Sequence, residues 1–282
     1  MERLVMTTGD LVQLATVKSW LGVTSSVDDA LLSGLITQIS RAIYNYINRS
    51  FVLPANVTEA YDGSGRDSLI LRNWPVGSIS AVVVDGKLIP PAPLMVAGVE
   101  TAPGYVLEQA DDQPPGAMQQ LFLRGPYRFH KGRQNVVVSY RAGYEIIGET
   151  QVAPQQAPFQ LTALSPYGVF AKDTGVAYAN GVSLNAVAAN PGAGQYSVDA
   201  ASGTYSLSAA DAGAMLSLSY GYIPADLAQC ALEWVADRYR YKDRIGVSSR
   251  SLGGQETTAY QNRAAPDFVL ASLVNFRRII AN

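Results

Sequence analysis

Ile223-Pro224-Ala225-Asp226-Leu227 opens the stretch of this 282-residue chain that decides its fold. Pro224 stands where a first helical turn tolerates a missing N–H, and Asp226 places negative charge at the helix's positive end. Leu227, Ala231, Trp234, Val235 and Arg238 follow at three- and four-residue spacing, which predicts a helix with one apolar face. Its end is rich in charge: Asp237, Arg238, Arg240, Lys242, Asp243 and Arg244. Beyond it, Gly246 to Gly254 and on to Ala265 shows no periodicity. A loop of about twenty residues is uncommon inside a compact domain unless it is functional or ordered by a partner. Pro266 and Asp267 open a second helix whose apolar positions are Leu270, Leu273, Val274 and Ile280, with Arg277 and Arg278 at its negative end. Helix, long polar loop and helix read together as part of an assembly.

The N-terminal region predicts two more helices. Asp10 is a candidate N-cap for a helix through Leu11, Leu14, Ala15 and Val17 to Leu21, stopped by Gly22. Ser26 with Asp29 three residues on resembles a capping box. The stripe Leu32, Leu35, Ile36, Ile39, Ile43, Tyr46 and Ile47 then marks a buried helix face. From Val57 the period changes. Ser68–Leu71, Ile79–Val84, Leu121–Leu123 and Val136–Tyr140 read as strands of a small antiparallel sheet, and Asp85-Gly86 as a hairpin turn. His130 lies in a basic cluster of Arg124, Arg128, Lys131 and Arg133, interleaved with Tyr127 and Phe129. Such a cluster can serve nucleic acid, an acidic protein edge, or simply a solvated hairpin tip.

From about Glu145 to Tyr222 the composition shifts to Ala, Ser, Gly, Tyr and Val, with Lys172 the one basic residue. Tyr196–Asp199, Gly203–Leu207 and Met215–Tyr220 alternate at strand period between turn residues. The strand ends Val138–Tyr144 and Leu218–Tyr222 are similar, as if a β domain had been inserted at a loop, where insertions are tolerated.

Two sets of motifs carry a family resemblance. The run Ile223–Leu227, the helix with Trp234 and Tyr239, and Arg244-Ile245-Gly246-Val247-Ser248-Ser249-Arg250-Ser251-Leu252-Gly253-Gly254 resemble the C-terminal signature of the tailed-phage head–tail connector (adaptor or neck) family. The order Thr8-Gly9-Asp10 through Trp20-Leu21-Gly22, the helix Ser26 to Ile47, Tyr61-Asp62-Gly63-Ser64-Gly65 and the Val84–Lys87 hairpin is similar to that family too. The stretch from Gly194 to Gly213 resembles β-sandwich modules of phage structural proteins. The expected fold is α+β. A helical bundle of two N-terminal and two C-terminal helices and a small antiparallel sheet would form a connector core from 1–144 and 223–282, with an all-β sandwich-like domain inserted at 145–222.

The resemblance implies a structural protein of the virion neck, made in the host cytoplasm. It would form a homo-oligomeric ring, commonly twelvefold in such proteins, between the portal protein and a downstream neck, stopper or tail protein. Double-stranded DNA would pass without sequence specificity. Candidate portal-docking residues are Phe276, Arg277, Arg278, Ile279 and Ile280, an apolar and cationic terminus. Candidate channel-facing or intersubunit residues are Arg238, Arg240, Lys242, Arg244 and Arg250. The alternative is a decoration protein whose inserted domain recognises a glycan or another virion protein.

Composition narrows the classes further. Net charge is −2, which argues against a surface that grips nucleic acid throughout but allows a local basic strip. One histidine and one cysteine exclude a His/Cys zinc site within a single chain, and Cys230 reads as a core filler. No serine stands in a nucleophile-elbow context, and Gly63-Ser64-Gly65 and Gly253-Gly254 lack a P-loop lysine. The pairs Asp28/Asp29 and Asp111/Asp112 are explained by capping and solvation. No catalysis and no cofactor are expected. Met1–Thr7 carries no apolar run of signal-peptide length, and no segment reaches membrane-spanning length.

Overall fold

The computed structural model describes residues 9–93, 102–108, 118–244, 249–252, 256–259 and 265–278. The fold is α+β, and the chain divides into two compact units, Met1–Ser50 with Ile223–Asn282, and Phe51–Tyr222. Among the described residues, no helix is long and apolar enough to cross a membrane.

The first unit is helical: α1 (Leu14–Leu21), α2 (Asp29–Tyr46), α3 (Ala225–Tyr241) and α4 (Asp267–Leu273). Helix α3 packs against each of the other three. It therefore buries more than the one face its spacing suggests, adding Ala228, Cys230, Leu232 and Ala236 to Leu227, Ala231, Trp234 and Val235. Helix α2 buries Leu32, Ile36, Ile39 and Ile43, with Ile47 just beyond its end, while Leu35 and Tyr46 stay half-buried. Each fully buried Leu or Ile of this kind stabilises by about 1.5–3 kcal/mol. Cys230 fills the α3–α4 contact with its Sγ 3.9 Å from the Val269 carbonyl, and burial raises its thiol pKa.

Helices α3 and α4 begin directly after Pro224 and Pro266, as their sequence signals suggest, whereas the starts of α1 and α2 differ. α1 begins at Leu14, after Gln13 rather than at Asp10. Gly22 ends it as expected, in the left-handed region, with Val23 N–H returning to the Lys18 carbonyl at 2.9 Å. The capping box at Ser26 does not form. Asp28 stands at the N-cap of α2 without a side-chain cap bond, because its carboxylate is drawn to α3. Asp29 is drawn likewise to Lys18, 2.6 Å away. The last helix is shorter than its apolar pattern: α4 stops at Leu273, a 3₁₀ turn covers Val274–Phe276, and Arg277 is extended. The polar loop contains an antiparallel hairpin, Ser249–Leu252 with Glu256–Ala259. Gly253 and Gly254, between its strands, lie outside the described residues, as do Asp111 and Asp112.

The second unit is all β. Its first half holds β1 (Ala55–Gly63), β2 (Ser68–Ile70), β3 (Val76–Val84), β4 (Lys87–Ile89), β5 (Gly104–Leu107), β6 (Gln120–Arg124) and β7 (Gly132–Ala142). They form two antiparallel sheets, β1-β7-β3-β4 and β2-β6-β5, where the sequence suggested one. Strand β1 runs on to Gly63, the first residue of Gly63-Ser64-Gly65. Tyr61, Leu71, Val82, Leu121, Phe129, Val136, Val138 and Tyr140 belong to the core of this half.

The second half holds β8 (Glu145–Val152), β9 (Gln160–Thr162), β10 (Gly168–Tyr178), β11 (Asn185–Ala186), β12 (Gln195–Asp199), β13 (Thr204–Leu207) and β14 (Met215–Pro224). Its sheets are β10-β14-β8 and β11-β12-β13-β9, with β11–β12 a parallel pair. A separate core gathers Phe170, Val176, Tyr196, Tyr205, Leu216, Leu218 and Tyr220. The chain enters and leaves this half on neighbouring antiparallel strands, Glu145 opposite Gly221. At the entry, Arg141 forks onto Glu145 with two bonds of 2.7 Å. Burial alone would raise the Glu145 pKa, but the Arg141 bonds pull it below the usual range.

Candidate interaction surfaces

The charged end of α3 is partly committed within its own unit. Tyr239 donates to Asp28 Oδ2 at 2.5 Å, and Lys242 Nζ lies 3.0 Å from the same oxygen and 4.0 Å from the Tyr239 ring centroid. The Tyr239 bond first, then Lys242, holds the Asp28 carboxyl below its ordinary value. A depressed carboxylate contributes stability above its unfolded pKa and loses it as pH falls through the folded one, so this clasp weakens once pH drops below the ordinary carboxylate range. Arg238 sits 5.9 Å from the Tyr241 ring centroid. Arg240 is exposed. Arg244 closes the 3₁₀ turn Lys242–Arg244 and Arg250 lies in the hairpin; the side chains of both are outside the described residues.

The C-terminal candidates divide in the same way. Ile279 and Ile280 lie outside the described residues, whereas Phe276–Arg278 is clamped to the end of α2. Arg278 N–H donates to the Ile47 carbonyl at 2.8 Å, Asn48 Nδ2 to the Arg278 carbonyl at 3.3 Å, and buried Arg49 Nε to the Phe276 carbonyl at 2.9 Å. These bonds hold the segment beyond α4, at the Phe276 and Arg278 carbonyls, away from a continued helix. The clamp uses backbone, leaving the exposed Arg277 guanidinium 5.6 Å from the Tyr46 ring centroid.

The basic cluster ahead of β7 splits by burial. Phe129 is fully buried and Tyr127 half-buried, while Arg128, His130, Lys131 and Arg133 are exposed. His130 Nδ1 meets Asp85 Oδ2 at 2.8 Å, which joins the cluster to the β3–β4 turn. That partner is a surface carboxylate, and no serine is bonded to the ring among the described contacts.

What sequence reading missed is a set of tyrosine–carboxylate pairs. In the first β half, Tyr61 and Tyr140 both donate to Glu59 Oε2 at 2.5 Å. Their oxygens also accept from the backbone of Arg72 and Asn73, pinning that loop to the sheet. In the second half, Asp173 accepts from Tyr196 at 2.6 Å and Tyr205 at 3.1 Å, Asp211 from Tyr178 at 2.5 Å, and Glu149 from Tyr220. Strand alternation turns these tyrosines inward, but apart from Glu59, two residues before Tyr61, nothing local identifies carboxylates that lie tens of residues away. Among the described residues no group of acidic, His or Cys side chains could hold a metal ion.

These pairs set an alkaline limit. Burial first, then Glu59, pushes the Tyr140 pKa up to about 12; burial, then Asp10, does the same for Tyr44. A raised folded-state pKa leaves stability intact below the unfolded value near 10 and removes it as pH climbs toward 12. Urea melts should therefore give a constant midpoint from pH 8 to 9.5 and a falling one from 10 to 11.5. A midpoint flat to pH 11.5 would contradict the buried networks.

No curated protein matches the chain. A family model, Head completion protein, matches residues 10–162, which spans α1, α2, the whole first β half and the entry into the second. That is more than half of the chain, and the chain belongs to the head completion proteins, a phage head–tail connector family with a structural role in the phage head.

Proposed function

We propose that this protein forms a ring between the capsid portal and the tail, prolongs the DNA channel and offers the surface on which the tail docks. The observation that carries the reading is the family match over residues 10–162. The helical unit supports it with apolar side chains left at the surface: Trp20 on α1, Val27 and Leu31 around the start of α2, and Phe268 and Val274 on the C-terminal segment. Residues of this kind suit contacts with neighbouring copies or a portal. Ring size is taken as twelve from the family resemblance.

Residues 145–222 are proposed as an insertion in the connector core. Support comes from their separate apolar core and from the pairing of entry strand β8 with exit strand β14. The C-terminal segment Phe276–Ile280 is proposed to dock on the portal, and Arg238, Arg240, Lys242, Arg244 and Arg250 to face the channel or the next subunit. Lys242 already holds Asp28, so among the described side chains at this end exposed Arg240 is the foremost candidate for the intersubunit or channel role.

Cosedimentation with purified portal tests the docking. Wild type should pellet with portal, and Arg277→Glu should lower capture at least tenfold with an unchanged far-UV spectrum. Truncation is a poorer test, since removing Phe276 takes away the acceptor that Arg49 uses. Equal capture by Arg277→Glu would remove the C-terminal segment from the portal interface.

A further inference from the structure

Three loops meet at one end of the β1-β7-β3-β4 sheet, and they are locked together. Gly65 N–H donates to the Phe129 carbonyl at 2.6 Å, and Phe129 N–H to the Arg66 carbonyl at 2.9 Å. Gln134 N–H reaches Asp62 Oδ1 at 2.7 Å. Asn135 ties all three: its amide donates to Asp85 Oδ1 and to the His130 carbonyl, and its Oδ1 accepts from Gly63 N–H, each at 2.9 Å. A Cβ at Gly63 would fall 1.8 Å from the His130 carbonyl oxygen, so the close approach depends on glycine there.

This rigid tip displays Arg66, Lys87, Arg128, Lys131 and Arg133, all exposed. The opposing acids are Asp62, Asp67 and Asp85, of which Asp62 and Asp85 are already engaged by Gln134, Asn135 and His130. Among the described residues, Arg66, Lys87, Lys131 and Arg133 form no ion pair, whereas Lys242 at the end of α3 is held by Asp28. In a chain of net charge −2, this is a local concentration of available positive charge. Among the described residues the tip shows little of the apolar anchor of a protein interface, since Phe129 is fully buried and Leu88 is the one large apolar side chain there that is well exposed. Phosphate recognition needs cations on a fixed frame and no apolar anchor.

We propose that this tip binds the phosphate backbone of double-stranded DNA without regard to sequence. The proposal rests on the connector reading only for the source of that DNA, the phage genome. It moves the main DNA contact from the α3 end to the β unit.

The test is fluorescence anisotropy of the full chain with a 30-base-pair duplex across a salt series. Wild type should show a slope of log K against log salt of about −3 to −4, near −0.9 per neutralised phosphate. Lys131→Gln/Arg133→Gln and Arg66→Gln/Lys87→Gln should each flatten the slope by about 2 and weaken low-salt binding at least tenfold. Arg240→Gln should stay within twofold of wild type. Slopes unchanged in both double variants, or a loss carried by Arg240→Gln alone, would overturn the proposal. Stronger binding of polyglutamate than of duplex would overturn it in favour of an acidic protein partner. Portal cosedimentation on the same samples separates the two readings. Capture without duplex binding defeats the tip and leaves the connector; duplex binding without capture does the reverse.

Discussion

Replacing Tyr205 by alanine is expected to lower the stability of the β unit by about 3–5 kcal/mol. Its ring is fully buried, lies 5.8 Å from the Tyr196 centroid and 6.1 Å edge-on to Phe170, and its hydroxyl reaches Asp173. Alanine leaves a cavity that the two neighbouring sheets can only partly close, and it strips Asp173 of one donor. At about 2–4 °C per kcal/mol for a unit of this size, the melting midpoint should fall by roughly 10 °C. Tyr205→Phe keeps the ring and should cost only about 1–2 kcal/mol for the lost hydrogen bond. A melt of Tyr205→Ala within 2 °C of wild type would show that the second β half has no such core.

Gly143→Ala is expected to cost about 2–5 kcal/mol, through strain and overlap together. Gly143 has φ +124, and a Cβ there would lie 2.5 Å from the Leu53 carbonyl oxygen and 2.7 Å from Pro54 N. Both are backbone atoms of the segment leading into β1, and they cannot swing aside as a side-chain tip could. The same glycine donates its N–H to the Pro75 carbonyl at 2.9 Å, so a shift would be felt at two connections. Gly181→Asn is the control: φ is +86 with nothing within 4 Å of a Cβ, and asparagine tolerates that conformation. Its denaturation midpoint should stay near wild type; equal midpoints for Gly143→Ala and wild type would contradict the close approach.

The helices were legible because burial imposes a period that needs no knowledge of partners. Leu32, Ile36, Ile39 and Ile43 declare α2, and Gly22 declares the end of α1. The capping box at Ser26 does not form because Asp28 and Asp29 have partners outside the helix: Tyr239 and Lys242, far along the chain, for one, and Lys18 on α1 for the other. The strand set was recovered only in part. β10 and β8 mix inward and outward residues irregularly, with Gly148 and Gly175 breaking the alternation. The hairpin in the C-terminal loop has too few apolar residues to signal a strand. Of the candidate surfaces, sequence supplied the residue types but not their engagement. Lys242 and Arg133 look equivalent in a string of letters, yet one is clasped by Asp28 and the other stands on a rigid tip.

If this chain forms a ring at the head–tail junction, electron microscopy of the purified protein mixed with portal will show it. Class averages should show a ring of this chain stacked coaxially on the portal, with an open bore wide enough for a duplex. Particles in which the protein stays monomeric, or decorates the portal's outer rim without surrounding its axis, would contradict such a ring.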